Sequence, residues 1–324
     1  MTARPADGRL LHRYAVLLAC CTFLLVVAGG LVTSTGSGLA VPDWPLSFGQ
    51  LFPRMEGGVL YEHGHRLIAT VVGLLTIGLV ILATRLEARR WVRRLAWAAL
   101  GAVILQGALG GMTVLLRLPD AVSVAHAGLA QLFFALTAVI ATVTSPAYAS
   151  QSQMAEAVTV AEVAASTLLL TLLSATAVYA QILLGAIVRH TGAGLAIPDY
   201  PLSFGRLVPE FGSVLVVWHF LHRWFALVPV ALILWVAARI ALRHERAYLV
   251  RPAALLVAVT GWQVFLGALT IWTRRAVVPT TAHVATGALV FALSVLLAVR
   301  VHRVLGSGRA GVWKSGIETP QPVH

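Results

Sequence analysis

The chain has little charge, few acidic residues and almost no cysteine. Asp, Glu, Lys and Arg make up 11% of its 324 residues, whereas hydrophobic residues make up 59%. This balance excludes an ordinary soluble domain, in which about a quarter of the residues are charged. The two cysteines, Cys20 and Cys21, are adjacent in an apolar stretch, which excludes a disulfide between loops. The sequence has instead a series of long apolar segments.

Eight of these segments are long enough to cross a bilayer, whose hydrocarbon core of about 30 Å needs about 20 residues of helix. Their approximate bounds are 14–33, 62–84, 95–115, 122–143, 165–188, 214–237, 251–272 and 280–300. No clear small-residue cleavage site follows the first segment, so we interpret it as a mature helix. The sequence therefore predicts an all-α integral membrane protein with eight transmembrane helices.

Basic residues outnumber acidic residues by 24 to 12, a balance that also occurs in nucleic-acid-binding proteins. Their distribution indicates topology instead. An even number of spans puts both termini on one side, and sixteen of the 24 basic residues lie on that side. Because Lys and Arg accumulate in cytoplasmic loops, we predict that both termini are cytoplasmic. We expect the lipid bilayer as a partner and no nucleic acid.

A sixteen-residue segment occurs twice. GSGLAVPDWPLSFGQL at 36–51 and GAGLAIPDYPLSFGRL at 192–207 share twelve residues at an offset of 156. A repeat of this kind divides the chain into two halves with four spans each. Because four spans return the chain to the same side, the halves have the same orientation. We predict two four-helix bundles related by a pseudo-twofold axis along the membrane normal.

The predicted domains are an N-terminal bundle, a cytoplasmic linker, a C-terminal bundle and a cytoplasmic tail. Their bounds are 11–144, 145–162, 163–304 and 305–324. The tail is rich in glycine and polar residues, so we expect it to be loose. The repeated segments are rich in turn-forming Pro, Asp and Gly, and each is either a structural cap over its bundle or a lid over a ligand.

Four histidines recur at an offset of 157, His65 with His222 and His126 with His283. Each lies a few residues inside a span that begins at the predicted outer face, at a depth of roughly 5–12 Å. Two helices of each half thus offer one imidazole at similar depth, and such a pair can hold a haem iron axially. The alternatives are zinc or copper ligation and hydrogen-bonded packing histidines.

The two halves differ beside these histidines. Glu62 precedes His65 by three residues, whereas His219 stands at the equivalent position before His222. Residues three apart share a helix face, so one half has a carboxylate that can move protons next to its histidine. We interpret the first half as the reactive site and the second half as a cofactor site. The alternative is drift within a duplicated structural motif.

Arg66 and Arg223 each follow a repeated histidine. An arginine there can pair with a haem propionate or a loop carboxylate, and otherwise anchors its helix at the lipid headgroups. Three glutamines within the spans are expected to hydrogen-bond between helices, namely Gln106, Gln181 and Gln263. Three further histidines are expected at the outer interface, namely His63, His190 and His219.

A wider set of features extends from about residue 14 to 300. It consists of Gly29-Gly30 ahead of Ser34–Leu39, Asp43-Trp44-Pro45, Glu62-x-x-His65-Arg66, His126, His222-Arg223 and His283. In this combination the chain resembles the haem A synthase family, the membrane enzymes that make the haem of terminal oxidases. No single motif of the set is specific, but the combination is.

The resemblance implies that haem O is oxidised at its C8 methyl group, through hydroxylated intermediates, to the formyl group of haem A. It implies that His222 and His283 are the axial ligands of a haem b in the C-terminal bundle. It also implies that His65 and His126 are ligands or positioners of haem O in the N-terminal bundle. Glu62 would then be the catalytic carboxylate.

The resemblance further implies a bacterial inner-membrane protein with a membrane electron donor of unknown identity. By analogy, partners could include haem O synthase, oxidase assembly factors and a second copy of the chain. Many bacterial members of the family carry a cysteine pair in the outer loop near Asp43, whereas neither outer loop here contains cysteine. The alternative function is a di-haem membrane cytochrome that only transfers electrons. A transporter is disfavoured because the histidines cluster toward one face.

Overall fold

The computed structural model describes residues 5–146, 148, 165–243 and 247–315. Its regular elements are helices, with nine α-helices in the described part of the chain. These are α1 (Pro5–Ser34), α2 (Gly58–Leu86), α3 (Arg90–Leu115), α4 (Asp120–Val143), α5 (Ala165–His190), α6 (Val214–Phe225), α7 (Leu227–Arg243), α8 (Ala247–Trp272) and α9 (Val277–Ser315). A short 3₁₀ helix, Ala193–Leu195, follows α5.

Within the described residues, eight segments are long and apolar enough to span a membrane, which confirms the predicted number. The sixth span, Val214–Leu242, consists of α6 and α7 and is interrupted at Ala226. Pro229 explains the interruption, because proline has no N–H and its ring clashes with the carbonyl four residues earlier, that of Phe225. In the first half the equivalent residue is Val72, and α2 continues unbroken.

The structure describes only part of the chain over which the four domains were predicted. Most of the linker predicted at 145–162 lies outside the described residues. Helix α9 continues to Ser315, inside the predicted tail at 305–324, and the looseness of that tail stays a prediction. The two bundles, the pseudo-twofold axis and the cytoplasmic position of the termini stay predictions.

Most of the buried apolar side chains in the described part of the chain lie in three clusters. One contains Leu18, Leu79 and Ile140 from the first half. Another contains residues of α5, α7, α8 and α9, with Ile233, Ile240, Leu256 and Leu297 among the most buried. The third joins the halves: Val26 and Phe134 pack against Ala288 and Ala292 of α9. Small residues at this contact allow the helices to approach closely.

The loops at 35–57 and 191–213 lie on the same side of the helices, here called the loop side. In the first loop the Asp43 carboxylate accepts backbone hydrogen bonds from Phe48 at 2.7 Å and Gly49 at 2.8 Å. Phe48 and Gly49 both have positive φ, 55° and 69°, as in a type I′ turn, where glycine is favoured. The second loop repeats these contacts at the same distances with Asp199, Phe204 and Gly205.

Each loop is also fastened to the third span of its own half. The Trp44 indole lies on Gly111 of α3, where an added Cβ would stand 2.8 Å from the indole Cδ2. In the second half the Tyr200 ring meets Trp272 of α8 edge-on, with centroids 6.0 Å apart. These contacts support the interpretation of the repeated segments as structural caps.

The turn predicts an acid-sensitive loop. The N–H groups of Gly49 and Phe48 hold the pKa of the Asp43 carboxyl below its ordinary value of 3.8. A lowered pKa stabilises the folded loop above the ordinary value, and that stabilisation is lost as the pH falls through the lowered value. We expect Asp43→Asn to reduce the protection of the Phe48 and Gly49 amides at neutral pH, measured by hydrogen exchange with mass spectrometry. The matched control is Glu56→Gln, at an exposed residue of the same loop. Unchanged amide protection in Asp43→Asn contradicts the assignment.

Candidate functional site

Each of the four repeated histidines lies against a glycine on a neighbouring helix. A Cβ atom added at any of these glycines would stand 2.9–3.2 Å from the ring Cε1 atom, tighter than ordinary van der Waals contact. The pairs are His65 with Gly29 (3.1 Å), His126 with Gly110 (3.2 Å), His222 with Gly185 (2.9 Å) and His283 with Gly267 (3.1 Å). A larger residue at any of these positions would require the ring or its helix to shift.

Each ring also faces the backbone carbonyl one helical turn before its glycine. These carbonyls belong to Leu25, Gln106, Gln181 and Gln263. His283 Nδ1 lies 3.2 Å from the Gln263 carbonyl oxygen, within hydrogen-bonding distance. A histidine that donates from Nδ1 presents the lone pair of Nε2, which is the metal-ligating form.

The glutamine side chains hold the same helices together. Gln181 Nε2 donates to the His222 carbonyl at 2.8 Å and lies 3.1 Å from its Nδ1 atom. Gln106 Nε2 donates to the His126 carbonyl at 3.0 Å. The predicted interhelical hydrogen bonds are thus confirmed for two glutamines, and Gln263 contributes through its backbone instead.

The two halves differ in the hydrogen-bond partners of the rings. The Nδ1 atoms of His65 and His126 are buried and have no hydrogen-bond partner among the described residues, and His126 Nε2 lies 3.4 Å from Gln106 Nε2. In the second half, His283 Nδ1 has an acceptor, the Gln263 carbonyl, whereas His222 Nδ1 lies 3.1 Å from the Gln181 amide nitrogen, a donor. A metal-ligating histidine usually donates from its other ring nitrogen to an acceptor, and His283 has that arrangement.

The rings come in pairs. His65 lies close enough to His126 for their charges to interact, and the same holds for His222 and His283. The described residues contain no group of three or more His, Cys, Asp or Glu side chains arranged to hold a metal ion. A zinc site commonly needs three or four protein ligands. A haem needs only two axial ligands, because its porphyrin supplies the others.

Glu62 is a buried carboxylate with both oxygens engaged. Its Oε2 accepts a hydrogen bond from the Val41 N–H at 2.9 Å, and its Oε1 forms an ion pair with Arg66 Nη2 at 2.6 Å. The side chain lies under the first loop and joins that loop to α2.

His219 stands in the equivalent place in the second half. Its Nδ1 lies 3.1 Å from the Ile197 nitrogen, and its Nε2 lies 3.2 Å from Arg223 Nε. A neutral imidazole accepts a hydrogen bond at only one of its two nitrogens, so His219 accepts from one of these donors. The structural role of Glu62 is therefore shared only in part by a residue without a carboxylate. What distinguishes the first half is the chemistry of the acid group, not its position.

Arg66 and Arg223 fasten the loops. Arg66 Nη1 donates to the carbonyl oxygens of Asp43 at 2.7 Å and Leu46 at 2.8 Å. Arg223 repeats this pattern with the carbonyl oxygens of Asp199 at 2.7 Å, Leu202 at 3.2 Å and Ile197 at 2.8 Å. The arginines thus bind loop backbone, and their contact with a propionate stays a prediction.

His63 and His219 are buried beneath the loops and are only 6% and 3% exposed. Their expected position at the outer membrane interface stays a prediction, because burial within the protein does not measure depth in the bilayer. His63 Nδ1 lies 2.8 Å from Ser47 Oγ, a partner supplied by the repeated segment. His190 is half-buried and close enough to His126 for their charges to interact, which sequence periodicity alone could not indicate.

Comparison with known proteins places this arrangement in a family. Two overlapping segments, 12–59 and 55–295, match the COX15-CtaA family, described as cytochrome oxidase assembly protein. The chain belongs to this family. The matched region contains all four repeated histidines and Glu62. Together with the eight apolar helices, family membership identifies a multi-pass protein of the bacterial cell membrane.

Curated relatives cover most of the chain. A protein of Symbiobacterium thermophilum named Heme A synthase is 34% identical over 76% of this chain and 80% of its own length. A protein of the same name from Caulobacter vibrioides is 30% identical over 89% of this chain and 94% of its own length. A third, from Shouchella clausii, is 30% identical over 78% and 83%.

The glycine contacts generate a matched test. Gly267→Ala places a methyl group against the His283 ring, and overpacking of this kind costs about 1–3 kcal/mol. We expect this variant to retain less haem per protein than the wild type, measured by the pyridine haemochrome method. Gly261→Ala in the same helix is the control, since nothing lies within 4 Å of the added atom. Equal haem content in the two variants would contradict a role of the contact between Gly267 and the His283 ring in haem binding.

Proposed function

We propose that this protein is a haem A synthase, which oxidises the C8 methyl group of haem O to the formyl group of haem A through hydroxylated intermediates. One observation carries the proposal. Each half of the chain has a pair of histidines in equivalent surroundings, and only the first half has a carboxylate, Glu62, beside its pair. Membership of the cytochrome oxidase assembly family supports the same reaction, since relatives that align with most of this chain are named Heme A synthase.

The residues present fit two haems. In each half two imidazoles approach from different helices, and the glycines allow the rings to lie against backbone rather than against side chains. His222 and His283 would hold haem b, and His65 and His126 would hold or position haem O. A bound haem b supplies reversible one-electron chemistry.

The hydrogen bonds of the rings support this division of labour. The Nδ1 atom of His283 can donate to the Gln263 carbonyl, as suits a ligand of a resident cofactor. His65 and His126 lack such partners among the described residues, as suits a site whose haem must enter and leave. The difference is one of degree, because all four rings face an equivalent carbonyl.

The proposed role of Glu62 is proton management. Conversion of a methyl group to a formyl group through hydroxylated intermediates breaks C–H bonds and adds one oxygen atom at the same carbon, so a group that accepts protons beside that carbon suits the reaction. Glu62 lies three residues before His65 and thus on the same face of α2. Its ion pair with Arg66 fixes the position of the carboxylate without requiring any group from the substrate.

The second half provides the substitution that separates structure from chemistry. Glu62→His should retain one of the two contacts, with Val41 or with Arg66, because a neutral imidazole accepts at one nitrogen and His219 stands between the equivalent donors. We expect this variant to fold, to keep its haem b and to lose at least tenfold in haem A formation, measured by chromatography of extracted haems. Haem A formation at the wild-type level would show that Glu62 serves only as a structural link.

The function itself is tested on protein purified from cells that also express a haem O synthase. Extracted haems are separated by chromatography and identified by mass. Haem A or hydroxylated haem O beside haem B is the expected result. Haem B alone, with abundant haem O in the membranes, would favour the di-haem electron-transfer cytochrome, which the near-identical histidine settings also fit.

The expected partners belong to this proposal. Haem O is the substrate, and its apolar tail suits delivery within the lipid bilayer. We infer a membrane electron donor, and by analogy with the family a contact with haem O synthase or oxidase assembly factors and a homo-oligomer.

A further inference from the structure

Two arginines on the loop side occur only in the second half. Arg189 lies in the last turn of α5, where the first half has Thr33 at an offset of 156. Arg275 lies in the turn between α8 and α9, where the first half has Leu118 at an offset of 157. The neighbouring residue of the same turn is the same in both halves, because Arg274 corresponds to Arg117 at the same offset.

Arg189 reaches from the second half to the first. Its Nη2 donates to the Gly30 carbonyl at 2.7 Å and to Ser34 Oγ at 3.0 Å. Its Nε and Nη1 form no hydrogen bond within the described part of the chain, so the N–H groups on these two atoms can donate to a further acceptor. Arg189 is also close enough to His283 for their charges to interact.

Arg275 is held beside it. Its Cδ atom would stand 3.3 Å from a Cβ added at Gly194, so the side chain lies across the 3₁₀ helix. The two guanidinium groups are close enough to repel each other. Among the described residues neither forms an ion pair with Asp or Glu. Two half-buried cations side by side are unfavourable unless an anion accompanies them.

We propose that Arg189 and Arg275 bind the propionate carboxylates of the haem held by His222 and His283; this inference rests on the function proposed above. The planar guanidinium group matches a carboxylate in a bidentate arrangement. Arg223 is less suited to the task, because its Nε, Nη1 and Nη2 atoms already donate to His219 and the second loop. The first half has no arginine at either position, which agrees with a haem that must leave.

The experiment compares two ligands that differ only in the carboxylates. Protein produced in a haem-deficient host is titrated with haem b and with its dimethyl ester, which has the same iron and macrocycle. We expect the wild type to bind haem b at least about tenfold more tightly than the ester, because the ester cannot form charge-assisted hydrogen bonds with the arginines. Arg189→Gln and Arg275→Gln should each remove most of that preference while binding the ester as the wild type does.

The controls separate a binding role from a structural one. Arg274→Gln removes an exposed positive charge from the same turn and should retain the full preference. Arg189→Lys retains the charge and should restore part of the preference lost in Arg189→Gln. Equal weakening of haem b and ester in Arg189→Gln would assign Arg189 to the contact between the halves and overturn the inference.

Failure of the inference is distinguishable from failure of the proposed function. If the wild type binds haem b and the ester equally, the propionate site is wrong and the haem site stands. If the folded wild type binds neither ligand, the function proposed above fails, and the inference fails with it.

Discussion

The packing of an imidazole ring against the backbone of a glycine is the contact on which both candidate sites depend. It occurs four times, always between a helix that begins on the loop side and the helix before it. The missing side chain gives the ring room inside an apolar bundle, and at His283 the carbonyl one turn earlier also gives the Nδ1 atom an acceptor. A polar ring is thereby tolerated at a depth where it would otherwise be costly.

Duplication explains how one framework can serve two chemistries. Glu62 and His219 occupy equivalent places, each within hydrogen-bonding distance of a loop N–H and of the arginine four residues later. Such a position tolerates any acceptor of the right size, so a carboxylate could be kept in one half and lost in the other without disturbing the loop. Arg189 and Arg275 are the opposite case, because the second half has an arginine at each position and the first half has Thr33 and Leu118.

Much of this architecture follows from the sequence, and the remainder depends on contacts between distant segments. Apolar length gives the eight spans, and the repeat offset gives the pairing of the histidines. The interruption at Ala226 was readable from Pro229. The contact between each histidine ring and its glycine could not be predicted from the sequence, because that contact depends on the register of two helices. The burial of His63 and the reach of Arg189 to Gly30 depend on loop folding and on packing between the halves, which local pattern does not encode.

The most direct measurement is the haem composition of two variants, His126→Ala and His283→Ala, each purified from cells that express a haem O synthase. The account predicts that His283→Ala loses haem B, whereas His126→Ala retains haem B and lacks haem O and haem A. A full complement of haem B in His283→Ala, or loss of the same haem from both variants, would contradict the division between a cofactor site and a substrate site.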